Sequence, residues 1–200
     1  MEGTSGTDPE EEDALMIHIK KSHLNLEMFG KVPRTGNCWY TTNYNLSISH
    51  GICPDGVNNP HDLRVKVVNS LEFHPSFATS EEVPSTEVSW FRDVFGSQVS
   101  RVEAFKKQHL TDGEYTDNMG LIALMTQHLL EVEMRIVSTS CNAAHPLTIH
   151  EFLGPGEPAA VFIIGYYQDQ SHKGGQGGHY HSLRLVDCSQ INMVRTHFYG

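Results

Sequence analysis

The four cysteines form no Cys-x-x-Cys pair: Cys38, Cys53, Cys141 and Cys188 stand far apart. That spacing excludes a zinc ribbon and a thioredoxin-like motif. A chain of 200 residues buries enough core to fold without disulfides, so reduced thiols in a cytoplasmic compartment are the simpler expectation. No apolar run reaches the roughly 18 residues of a membrane-spanning helix, so no membrane partner is expected. Positive charge is scarce as well. There are 14 Lys and Arg against 24 Asp and Glu, a formal charge of −10. Without a basic footprint, nucleic acid is excluded as the expected partner, and a neutral or basic protein face suits the chain better. The opening, Met1 to Asp13, is acidic and lacks the apolar segment of a signal peptide. Residues 1–13 read as a disordered acidic tail, because they offer too little apolar surface to repay ordering. Residues 14–200 remain as a single domain with no internal repeat.

What is present falls into two halves. Residues 14–30 show partial alternation and read as a weak strand or packed arm. Pro33 to Gly36 makes a loop. From Asn37, apolar residues recur at helical spacing to about Ser49. A loop rich in Pro and Gly follows to Pro60. His61 to Phe73 is the next helix, with Leu63, Val67 and Leu71 in one stripe and Asn59 or His61 as cap. One or two helices are expected across 88–109, a turn at 111–118, and a well-patterned helix over 119–130. Strands follow: 132–139 and 179–187 by alternation, 147–152 less strongly, and 159–167 as a continuous apolar run. Residues 168–178 form a mobile hairpin tip. Helices first and strands later predict an α+β fold, with a small, mostly antiparallel sheet packed between helices.

The chemistry centres on "RTGNCWYTTN", residues 34–43. Cys38 stands at the mouth of a helix, where unpaired backbone N–H groups and the helix dipole favour a thiolate. Gly36 lets the backbone approach a substrate carbonyl. The amides of Gly36, Asn37 and Cys38 are candidates to hold an oxyanion. A free cysteine is otherwise most often a small core residue. A thiolate nucleophile needs a base, and "HYHSL", residues 179–183, offers one. Alternation puts His179 and His181 on one face of a strand and Tyr180 on the other. His179 is then the candidate base and His181 the group that orients it. The same pair also reads as two strand-end histidines or as half of a metal site. No further ligands are spaced to complete such a site, so no metal is expected.

Three blocks in order, "TGNCWY", "TDGEYTDNMGLIALMTQHL" and "GGHYHSL", with the helix "HDLRVKVVNSLEFHP" between the first two, resemble the signature of the ovarian-tumour (OTU) domain cysteine proteases. The likeness spans roughly residues 30–187. It implies a papain-like OTU fold and a cysteine-type peptidase that is a deubiquitinase. The implied reaction is thiol-dependent hydrolysis of the isopeptide bond at the ubiquitin C-terminus, with Cys38 as nucleophile, His179 as base and no cofactor. Partners would be ubiquitin, polyubiquitin or another ubiquitin-like modifier. The setting would be the cytosol, a host cytosol for a secreted effector. Glu114, Tyr115, Asp117 and Asn118 are structural residues of the middle block on this likeness.

Two positions depart from the family pattern. Thr35 holds the place of the usual Asp before the Gly-Asn-Cys, which puts the oxyanion loop in question. His181 holds the place of the usual Asp or Asn two residues after the histidine. It offers no negative charge to an imidazolium, and its titration between pH 5 and 8 would make activity pH-dependent. These departures support a second reading, a catalytically weak or inactive OTU-like ubiquitin-binding module. In the active reading Trp39 and Tyr180 wall the tunnel for the substrate tail, though core packing is an equal role for Tyr180. The ubiquitin body would lie on residues 61–110 and the 168–178 loop, with Trp90 and Phe91 as candidate apolar contacts.

Overall fold

The computed structural model describes residues 9–22, 24–70, 105–114, 119–139, 147–152, 157–168 and 178–186. Its elements are α1 (Pro9–Lys21), β1 (Leu26–Met28), α2 (Cys38–His50), α3 (Pro60–Asn69), α4 (Met119–Leu130), β2 (Val132–Thr139), β3 (Leu147–Phe152), β4 (Ala160–Gln168) and β5 (Gly178–Leu185). The strands form one sheet in the order β1-β5-β4-β2-β3. β2 and β4 run parallel, and the other neighbours are antiparallel. The expected α+β class and mostly antiparallel sheet are therefore observed.

Helices cover both faces. On one, α2, α3 and α4 bury Tyr40, Leu46, Leu63, Val67, Ile122 and Met125 against Met134, Phe162, Ile164 and Tyr180. On the other, α1 buries Leu15 and Ile19 against Val137, Ile163 and Leu183. Gly165 makes that second contact close: a Cβ there would meet Leu15 Cδ2 at 2.7 Å.

The N-terminal region differs from its sequence reading. The segment expected to be a strand or arm from residue 14 is helical to Lys21, and the helix begins at Pro9, inside the expected tail. Residues 1–8 lie outside the described residues. Leu15, Ile17 and Ile19 alternate, but Leu15 and Ile19 are also one helical turn apart and both fully buried, whereas Ile17 is 47% exposed. Only Leu26–Met28 is a strand.

Elsewhere local sequence and structure agree. Asn59 caps α3, its side chain accepting the Asp62 N–H at 2.9 Å, with Pro60 at the first helical position. α3 is described only as far as Asn69 and its cap Ser70, short of the expected Phe73. Of the helices expected over 88–109, residues 105–109 are helical and the rest, with Trp90 and Phe91, lie outside the described residues. The hairpin tip at 169–177 lies outside them as well.

β2 alternates in sequence, yet Val132 to Val137 are all buried. The charges stay inside because they pair: Arg135 donates from Nε and Nη2 to Glu133 Oε1, and Glu151 Oε1 stands 3.5 Å from Arg135 Nε. An unpaired ion there would carry a desolvation cost of several kcal/mol.

α2 is the central helix. Eight of its residues from Cys38 to Ser47 are buried, four of them polar: Thr41, Thr42, Asn43 and Ser47. Part of this buried polarity is met by bonds within the helix or to neighbours, while Thr42 Oγ1 and Asn43 Oδ1 make none among the described residues. Asn43 donates to the Trp39 carbonyl, Ser47 to that of Tyr44, and Ser182 of β5 to that of Thr42. Trp39 is 1% exposed, and its indole N–H donates to Thr126 of α4 at 3.1 Å. Burying a tryptophan of that size is worth roughly 4–6 kcal/mol. Trp39→Ala is expected to lower the urea-unfolding free energy by about 3–5 kcal/mol, without a loss confined to substrate handling. A change under ~1 kcal/mol would contradict this core role.

Candidate active site

The site is built where the 31–37 loop turns into α2 beside the start of β5. Thr35 donates its N–H to the Pro33 carbonyl, and Cys38 donates its own to the Thr35 carbonyl at 2.9 Å. The Asn37 N–H reaches Thr35 Oγ1 at 3.3 Å. Two of the three amides expected to hold an oxyanion are thus engaged by Thr35, the residue at the atypical position. The loop is closed in this structure, and an oxyanion hole from Asn37 and Cys38 requires those bonds to break.

Gly36 has a different reason from the one expected. A Cβ at Gly36 would meet the Gly113 carbonyl oxygen at 2.1 Å and the Glu114 carbonyl carbon at 2.3 Å. Its bareness lets the 113–114 backbone cross the loop, a main-chain contact that no substitution evades.

Cys38 is buried, 4% exposed, and packs with Trp39 and Tyr180. Burial pushes its thiol up; the N–H groups of Tyr180 and Trp39 and the charge of Arg34 offset this only in part. The thiolate expected from the helix mouth is therefore disfavoured, because lost hydration outweighs the end-of-helix field.

On β5 the expected alternation holds. Ser182 faces α2, and Leu183 faces α1. His179 and His181 share the Leu183 face, and Tyr180 lies on the other, with its ring 5.0 Å from Trp39 and 4.9 Å from Tyr166. The two histidine rings meet edge to face at 4.4 Å. Neither ring nitrogen of His179 makes a hydrogen bond to Cys38 or to His181, and the Val32 carbonyl is the one backbone group among the described residues that weakly favours its protonated form. The structure brings Cys38 against the backbone one residue from His179, but it does not join the expected pair. Nor does it form the expected orienting bond to His181.

Trp39 and Tyr180 are core residues here, 1% and 8% exposed, rather than open tunnel walls. Burial of their rings beside Cys38 gives them the packing role. Among the described residues no group of three His, Cys, Asp or Glu side chains converges on a metal position. No described helix is long and apolar enough to cross a membrane.

No protein-family model and no curated protein sequence matches this chain. Solved structures do match. The OTU domain of OTUD1 is 16% identical and superposes with a TM-score of 0.52, over 87% of this chain and 99% of that one. The Hazara virus OTU, solved bound to ubiquitin, is 18% identical with a TM-score of 0.50, over 81% and 82%. The fold is that of an OTU domain. The three sequence blocks fall in the Cys38 loop, in the 111–114 turn with α4, and at the start of β5, and α3 lies between the first two.

Sequence reasoning passed over four residues. Arg64 on α3 is fully buried and reaches the loop before Cys38 through Asn37. Asp112 accepts from Asn37 Nδ2 at 2.7 Å, and its carboxyl is held below the usual range by that bond first, with His61 and Arg64 adding to it. Arg34 acts electrostatically on Cys38, His179 and His181 together. Tyr166 packs against Tyr180, with its hydroxyl where a Cβ on Gly178 would be 2.6 Å away. Arg64 alone left a sequence signal: it stands four residues before Val68, on the apolar side of its helix. Of the middle-block residues read as structural, Glu114 contributes its carbonyl to Arg64, and Tyr115, Asp117 and Asn118 lie outside the described residues.

His181 was expected to titrate between pH 5 and 8. Instead, burial and then Arg34 push it down to about 4. Burial, His181 and Arg34 push His179 down to about 4 as well, against a small opposing pull from the Val32 carbonyl. Both imidazoles are neutral in the fold at pH 7. Their unfolded values lie near 6.5, so between about pH 6.5 and 4 the unfolded chain binds more protons and stability falls on acidification. Unfolding free energies from urea titrations are expected to be flat above about pH 7 and to drop below it by up to ~1.4 kcal/mol per pH unit for each histidine. A His179→Gln, His181→Gln double variant should flatten the profile between pH 5 and 7. A double variant with the wild-type slope would rule these two groups out.

Proposed function

We propose that this protein is a deubiquitinase, a cysteine-type peptidase that hydrolyses the isopeptide bond at the ubiquitin C-terminus. The observation that carries the reading is Cys38: the first residue of α2, against the β5 backbone beside His179, in an OTU fold. In the reaction His179 takes the thiol proton and Sγ attacks the terminal glycine carbonyl. The oxyanion is held by amides of the 36–38 loop. The tetrahedral adduct then expels the lysine amine, which takes the proton from His179, and water hydrolyses the thioester.

Reaching that arrangement from the closed loop requires two movements. The Asn37 and Cys38 amides must leave Thr35, and the His179 ring must turn round the start of β5 onto Sγ. Engagement of the substrate tail is the event proposed to drive both, since only a ligand that prefers the open loop can populate it. Ubiquitin or polyubiquitin is the proposed partner, with another ubiquitin-like modifier as the variant of the same chemistry. A reducing cytosol is the proposed setting, because the nucleophile is a thiol. For a secreted effector that would be the cytosol of a host.

The closed loop and a His179 ring not bonded to Cys38 favour a second reading, an OTU-like module that binds ubiquitin and cleaves it weakly or not at all. Ubiquitin carrying a C-terminal electrophile separates the two. The enzyme reading expects a covalent adduct by gel shift, lost in Cys38→Ser. It also expects a fall of at least about a thousandfold in cleavage for Cys38→Ala and His179→Ala, with the fold intact. Binding without adduct selects the module. Neither binding nor adduct, with ubiquitin or other modifiers, rejects both.

A further inference from the structure

Arg64 is an expensive residue for the core of α3. It is 0% exposed, and burial pulls its pKa down. A methionine or leucine would fill that volume without desolvating a cation. Its guanidinium makes no hydrogen bond within its own helix. Nη1 donates to Asn37 Oδ1 at 2.6 Å, Nη2 to the Glu114 carbonyl at 3.0 Å, and Nε to the His109 carbonyl. Its plane also lies over the Tyr40 ring, 5.2 Å from the centroid. Two separate loops, 34–38 and 109–114, are thereby tied to one rigid helix.

The tie closes on itself. Asn37 is held from its other end, where Nδ2 donates to Asp112 Oδ1 at 2.7 Å. The same oxygen meets His61 Nδ1 at 3.3 Å, on the first turn of α3. Both ends of the Asn37 amide are therefore fixed by groups that α3 carries or holds. Asn37 immediately precedes Cys38, with φ −95° and ψ 2°, and makes no capping bond of its own to α2. Those angles set the direction in which α2 leaves the loop, and hence the position of Sγ. Gly36, next along, is pinned against the 113–114 backbone that Arg64 also holds.

We propose that Arg64, acting through Asn37 and Asp112, is the positioning residue of the nucleophile loop: it sets where Cys38 Sγ stands and touches no reacting atom. The proposal rests on the reading of Cys38 as a nucleophile.

The test compares Asn37→Ala, which cuts the clamp at its loop end and keeps the backbone amide, with Arg64→Lys, which keeps the charge and loses the fork. Each is measured for kcat and KM on a fluorogenic ubiquitin C-terminal amide, beside its thermal melt. Positioning expects kcat to fall roughly 10- to 100-fold, with KM within about twofold, in folded Asn37→Ala protein. A lowered melt with wild-type kcat per folded molecule means a merely structural role and overturns the proposal. If Arg64→Lys does not fold, Asn37→Ala decides alone. If the wild type itself turns nothing over, the function reading has failed separately. The clamp is then judged by the rate of iodoacetamide alkylation at Cys38, located by mass spectrometry, with amide exchange over 35–39. Unchanged alkylation and exchange in Asn37→Ala overturn it. Changed values, with α3 exchange as in wild type, uphold it.

Discussion

A guanidinium out of reach of water must find its hydrogen bonds in the protein, and the site is organised around how Arg64 finds them. Its donors are planar and fixed in a fork, so the acceptors have to come to it. Those acceptors are a side-chain amide beside Cys38 and two carbonyls of the 109–114 segment. Once they are in place, Gly36 must lie against the 113–114 backbone, and α2 must begin at Cys38 with little freedom of angle. The buried, polar first half of α2 follows, since Thr41, Thr42 and Asn43 lie where the helix packs between α3 and the sheet, while its last turn from Ile48 is exposed.

The same burial sets the electrostatics. The thiol of Cys38 is pushed up and the imidazoles of His179 and His181 are pushed down, so the groups that would form an ion pair are each held neutral. Arg34 favours the thiolate and disfavours both imidazolium ions, an arrangement that stabilises one half of an ion pair and opposes the other. With Thr35 occupying the Asn37 and Cys38 amides, the loop is closed over a buried thiol. A ligand that admitted charge would change all of these terms together, because they share one cause, the low dielectric around the loop.

Much of the fold was legible in the sequence. The helix after Asn37, Asn59 as one of two candidate caps, and strands over 132–139, 147–152, 159–167 and 179–187 are read from local periodicity and capping; the structure sets the last two strands at Ala160–Gln168 and Gly178–Leu185 and starts α3 at Pro60. The error at the N-terminus has a local cause too. Leu15, Ile17 and Ile19 satisfy a period of two and a helical turn equally, and only contact with Gly165 and Leu183 decides between them.

The sequence by itself determined which residue types meet at the site and in what order: the thiol, the bare glycine before it, and two histidines on one strand face. These depend on neighbours within a few positions, where spacing is geometry. Tertiary structure alone decided their state. Nothing in "TGNC" shows that the Thr35 hydroxyl and carbonyl take the loop amides, or that Arg64, 26 positions beyond Cys38 in the numbering, holds Asn37 from below. Protonation, hydrogen-bond partners and the role of Trp39 are set by what surrounds each group. Surroundings are assembled from segments distant in the chain, so their effect is written in the packing and not in the order of residues.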